Sequence, residues 1–152
     1  LFGKIGKGFN MEIIYSKVEE GKILHIIKRL SEIEEQDVNR TDIVGAEQFI
    51  QCSALKLKDG HTFKPHKHIY KKRTHEKQIA QESWIVVRGS VKCIFYDLDD
   101  TVIAEPILNV GDASFTLAGG HNYLILEEGT IVYEYKTGPY EGQEFDKTFI
   151  IK

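Results

Sequence analysis

The chain has 152 residues, 41% hydrophobic and 28% charged, which suits one domain with one core and excludes an intrinsically disordered chain. A net charge of -3 offers no global positive field to gather a polyphosphate, so no nucleic-acid partner is expected. No apolar run approaches the roughly 20 residues of a membrane helix, and Leu1 to Asn10 lacks the apolar stretch of a signal peptide, so the expected location is the cytoplasm, away from membranes.

In chain order, residues 1–10 (LFGKIGKGFN) are read as either a cloning remnant or a disordered start, and 11–152 as one domain. The run ILHIIKRLSEIEE (23 to 35) fits a helix through Ile23, Ile26, Ile27, Leu30 and Ile33. Its β-branched start favours a strand that ends near Lys28. Residues 36 to 42 are polar and read as a loop.

From Glu47 the sequence breaks into short β-rich runs: 48 to 57, 61 to 70, 83 to 89, 90 to 98, 101 to 110, 113 to 118, 122 to 128 and 131 to 137. Turn residues stand between them, among them Asp59-Gly60, Gly89-Ser90, Asp99-Asp100, Gly111-Asp112, Gly119-Gly120 and Glu128-Gly129. Strands this closely spaced, with no room for crossover helices, must pair antiparallel. The prediction is an all-β double-sheet jelly roll closing into a barrel, with an N-terminal extension. Both faces of SVKCIFYDL (90 to 98) are apolar, so this strand should line the core on one face and lie under the N-terminal segment or a partner subunit on the other. Cys52 and Cys93 sit in apolar runs without metal-finger spacing and read as reduced core residues.

Four of the six histidines lie between residues 61 and 75, and His66 and His68 are separated by one residue. In a strand, positions i and i+2 share a face, so two imidazoles at this interval can reach one ion without bending the backbone. Pro65 favours extended chain before them. Imidazoles together with a carboxylate make a mixed nitrogen and oxygen donor set suited to a divalent Fe, Mn, Ni, Cu or Zn ion.

Gly60, His66-Lys67-His68, Glu82 and Gly89 resemble the first motif of the cupin superfamily, and the stretch Gly111 to His121 resembles the second, whose histidine completes a metal site in that superfamily. The resemblance spans residues 60 to 121, and the strand pattern fits from about 47 to 137. It implies a double-stranded β-helix with one divalent transition metal held by His66, His68, Glu82 and His121. Thirteen residues separate His68 from Glu82, an insertion relative to the family motif, so Gln81, His75 and Glu76 stand as alternatives to Glu82. Leu117 and Ile125 also depart from the second motif's usual proline and asparagine.

With His121 pointing inward, alternation sends Tyr123 and Ile125 the same way, and Trp84 and Val86 follow Glu82. Tyr123 and His75 are the candidate proton-moving residues. Arg73 in the inserted loop is a candidate anion grip, and Trp84 a surface on which a sugar ring could stack. The chain is similar to small bacterial metal-binding cupins of surface-polysaccharide and sugar-nucleotide pathways, on the strength of PHKH, QESWIVVRG and the GGH turn. The resemblance implies a small polar, sugar-like ligand and an isomerase or epimerase. A non-catalytic metal or ligand-binding cupin and a metal-dependent dioxygenase are the alternatives. The apolar N-terminal segment suits pairing with a neighbour's sheet edge, so a homodimer is expected.

Overall fold

The structure, a computed structural model, describes residues 11–56, 58–59, 61–65, 79–138 and 142–150. In chain order its elements are β1 (Glu12–Tyr15), β2 (Ile23–Lys28), α1 (Leu30–Glu34), β3 (Arg40–Asp42), β4 (Ser53–Leu55), β5 (Glu82–Arg88) and β6 (Val91–Tyr96). There follow β7 (Val102–Ala104), β8 (Ile107–Leu108), β9 (Ala113–Thr116), β10 (Gly120–Ile125), β11 (Ile131–Lys136) and α2 (Gln143–Asp146). No helix among the described residues is long and apolar enough to cross a membrane.

The chain is mostly β, and its described strand pairs are antiparallel. One sheet has five strands in the order β1-β2-β9-β5-β11; a second has four, with β10-β6-β7 in line and β8 also paired to β6; β3 and β4 form a separate pair. Among the described residues no sheet closes on itself into a barrel.

The two larger sheets meet through inward positions set by alternation. In β6, Val91, Cys93 and Phe95 are fully buried while Lys92, Ile94 and Tyr96 are half-buried. The first three pack with Leu108 and, from the five-stranded sheet, with Ile27 and Val86. Burying such apolar side chains contributes about 1.5–3 kcal/mol each, enough to fix which face turns inward.

A second cluster lies on the opposite face of the five-stranded sheet, where Ile43, Val44 and Ile50 cover Ile26, Phe115 and Leu117. Residues 43–50 thus cover β2 and β9. The five-stranded sheet therefore holds the middle layer. Gln81 fastens the cover to it, because its Oε1 accepts from the Ile50 amide at 2.9 Å while its Nε2 donates to Gln48 Oε1 at 2.8 Å and to the Leu117 carbonyl at 3.2 Å.

Turns form where glycine and short polar residues stand. Gly119 has φ +74, and a Cβ there would strike the Tyr96 carbonyl oxygen, so only glycine admits the close approach of β10 to β6. At the same end of β6, Asp97 accepts from Ser16 Oγ at 2.6 Å and from the Lys17 amide at 2.7 Å, tying the β1–β2 turn to the second sheet. Asp112 does the same for α1, accepting from Arg29 Nη1 at 2.9 Å and from the Leu30 amide at 3.2 Å.

β2 ends at Lys28, as its β-branched start suggests, and Glu32 caps the short α1 by accepting from the Arg29 amide at 2.9 Å. Three expected strands are shorter or broken. The run 48 to 57 keeps only β4, because the residues before it wrap over the sheet. The run 101 to 110 divides at Pro106, which has no N–H for the ladder but whose carbonyl accepts from the Cys93 amide at 2.8 Å. Residues 61 to 65 are exposed and form no strand; without a partner strand or a buried face, β-propensity alone does not hold them extended in a sheet. Residues 66 to 70 of that run lie outside the described residues.

Candidate functional site

The inner face of the five-stranded sheet changes from apolar to polar along β5. Val86 is buried in the core, while Trp84 and Glu82 are only partly buried. Strand pairing sets their neighbours: Glu82 stands opposite Thr116 on β9 and Lys136 on β11, and Trp84 opposite Ser114 and Glu134. From the second sheet, β10 brings in His121 and Tyr123, which lie opposite Phe95 and Cys93.

Four side chains converge there. His121 Nε2 lies 3.1 Å from Glu82 Oε1, joining the two sheets through one imidazole and one carboxylate. The Trp84 indole N–H donates to the same Glu82 oxygen at 3.1 Å and also to Glu134 Oε2 at 3.3 Å. Trp84 and Tyr123 stack with centroids 3.8 Å apart and planes 10° from parallel. Tyr123 Oη pairs with Ser114 Oγ at 3.3 Å. His121 Nδ1 is buried with no hydrogen-bond partner among the described residues.

Burial pushes the Glu82 carboxyl up, but the hydrogen bond and charge of His121, the Trp84 indole and the charge of Lys147 together hold it below the usual carboxylate range. Glu82 is therefore ionised near neutral pH. The Tyr123 phenol is pushed well above its ordinary value, chiefly by burial, and stays protonated as a hydrogen-bond donor. Deeper between the sheets, His25 stacks on Phe95 with centroids 4.1 Å apart and places Nδ1 3.1 Å from Thr116 Oγ1. Burial lowers its pKa to about 4, against the Tyr96 carbonyl and Asp97, which pull the other way.

Of the eight site residues expected from sequence, Glu82, Trp84, His121 and Tyr123 come together here. His66, His68, Arg73 and His75 lie outside the described residues, as does Glu76. Gln81, an alternative to Glu82, is turned to the opposite face and spent on Ile50, Gln48 and Leu117, so it does not enter the site. Among the described residues no group of three or more His, Cys, Asp or Glu could hold a metal ion. The pair Glu82 and His121 supplies one oxygen and one nitrogen donor, a start on such a set.

No family model matches this chain, and neither a curated protein nor a solved structure does.

Sequence reasoning left out His25, Ser114 and Thr116, and gave Glu134 no position. His25 carried a signal, since it is the one polar residue between Ile23 and Ile27. Glu134 became legible only through the pairing of β11 with β5, which sets it opposite Trp84.

Proposed function

We propose that this chain is a metal-binding cupin, with His66, His68, Glu82 and His121 as ligands of one divalent ion, acting as an isomerase or epimerase on a small polar, sugar-like substrate. The observation that carries this reading is the 3.1 Å approach of His121 Nε2 to Glu82 Oε1 between two antiparallel sheets. A carboxylate held ionised and an imidazole with a buried, unpartnered Nδ1 are chemically fit to bind a divalent ion. Two antiparallel sheets packed face to face, with the site at the polar end of their interior, agree with the jelly roll this reading requires.

A bound divalent ion would supply a Lewis acid for a carbonyl or neighbouring hydroxyl oxygen. The chain's own residues hold and orient. Trp84 fixes Glu82 by donating to it and, with Tyr123, presents aromatic surface beside carboxylates, a combination suited to the apolar faces and polar edges of a sugar. The Tyr123 phenol, kept protonated, can donate to a substrate oxygen. His75 and Arg73 complete the reading as the acid or base and the anion grip.

Metal analysis of protein purified without added metal, repeated on His66→Ala, His121→Ala and Glu82→Gln, tests the centre. Stoichiometric metal in the parent and its loss in the histidine variants is the expected result; failure of the parent to take up added Fe, Mn, Ni, Cu or Zn overturns it. For the reaction, metal-replete protein incubated with sugar nucleotides in deuterated water should exchange carbon-bound hydrogen. Binding without exchange identifies a binder instead, and oxygen consumption with Fe(II) a dioxygenase.

A further inference from the structure

The segment 142–150, which contains α2, runs between the flanks of the two facing residues. At its midpoint, Asp146 Oδ2 pairs with Lys136 Nζ at 2.9 Å, and Lys136 is the β11 partner of Glu82. Next along the chain, Lys147 comes within charge reach of Glu82 itself. Further on, the Ile150 side chain lies against Gly120, immediately beside His121 on the second sheet.

This crossing is lightly held. Phe145 and Phe149 are 75% and 70% exposed, so the two largest apolar side chains of the segment contribute little to holding it down. α2 is only four residues long, and neither of its ends has a side-chain cap. The segment lines a hollow of about 340 Å³ with Gln143, Glu144, Lys147 and Phe149, so its packing there is open. Among the described residues the segment is exposed over most of its length, and elements with few buried contacts are the ones that open locally below the global unfolding free energy.

We propose that residues 142–150 form a strap across the mouth of the Glu82–His121 site, hinged on the Lys136–Asp146 ion pair and the Ile150 contact, and that it lifts to admit ligands. The proposal rests on the reading of that mouth as the ligand entrance. It assigns a role to a segment otherwise outside the chemistry: in the closed position the strap carries Lys147 to the edge of the site, and in the open position it takes that charge away.

The test uses the whole chain and needs no metal. Carbethoxylation of histidines by diethyl pyrocarbonate is followed residue by residue by mass spectrometry, with exposed His61 as the fast reference and buried His25 as the report on an intact fold. In Asp146→Asn/Ile150→Ser, His121 should react roughly 5- to 10-fold faster than in the parent, with His61 and His25 unchanged. An unchanged His121 rate overturns the strap. If the double variant also exposes His25, its fold has loosened, and each single variant is read by the same criterion.

A second arm loads the parent and the variants with Zn(II) and times its removal by a chelator. Faster extraction from the variants supports gating of the entrance, and equal rates count against it. Because the carbethoxylation arm is independent of metal, a chain that never binds metal still has its strap decided, and a failed strap leaves the metal reading standing.

Discussion

His121, on β10 of one sheet, faces Glu82, on β5 of the other, with 3.1 Å between Nε2 and Oε1. They are 39 positions apart in sequence, and nothing local brings them together. Their meeting depends on the apolar faces beneath, where Val86 and Val91 pack across the two sheets.

Trp84 is the only tryptophan, and its indole nitrogen lies 3.1 Å from Glu82 Oε1, so its fluorescence should report on the proposed metal centre. Titration with Co(II) or Cu(II) is expected to quench it in a saturable, one-to-one manner in the parent and to leave His121→Ala unquenched. Binding confined to the folded state should also raise unfolding stability, by about 2.7 kcal/mol at a free metal concentration 100 times Kd. Quenching of equal depth in both proteins would place the ion elsewhere.

Stability should fall with acid through His25. The unfolded imidazole titrates near 6.5 and the folded one at about 4, because burial opposes its charge. Between those values the unfolded chain binds a proton that the folded chain refuses. The contribution is complete above about pH 6.5 and is lost as pH falls towards about 4, amounting to about 3 kcal/mol. Urea midpoints measured across this window should drop more steeply for the parent than for His25→Gln; parallel profiles would remove His25 as the cause.

Gln81→Ala leaves the Ile50 amide without its buried acceptor and frees both Gln48 and Leu117 from Nε2. The expected cost is about 2–4 kcal/mol in urea unfolding. Loosening should be local first: trypsin should cut faster at Arg40 and Lys56, which bracket the cover, than at Arg88 in β5. Cleavage no faster than in the parent would show that apolar contacts alone hold the cover.

Cys93 is fully buried, and burial pushes its thiol up to about 12 despite Arg29 and Ser114. In a Cys52→Ser background, a thiol reagent at pH 8 should find nothing in the native protein and one thiol after denaturation, at a rate set by unfolding. Rapid native labelling would mean that the sheets separate locally around β6.

Much of the architecture is legible in the chain itself. Alternation in VKCIFY and ESWIVVR sets which side chains turn inward, and Gly89, Gly111, Gly119 and Gly129, all with positive φ, mark turns where the sequence places them. These features are local: they depend on a period of two and on backbone freedom at single residues. The pairing order β1-β2-β9-β5-β11 is not local, and it decides that Glu134 meets Trp84 and that Thr116 lies between His25 and Glu82. The same holds for the cover of residues 43–50, which Gln81, far from it in sequence, ties to the five-stranded sheet by hydrogen bonds. The sequence alone determined the turns and most of the strand runs, because short-range geometry sets them; tertiary structure decided which runs find a partner strand, Arg40–Asp42 among them, and which faces meet, because that depends on side chains filling one shared volume.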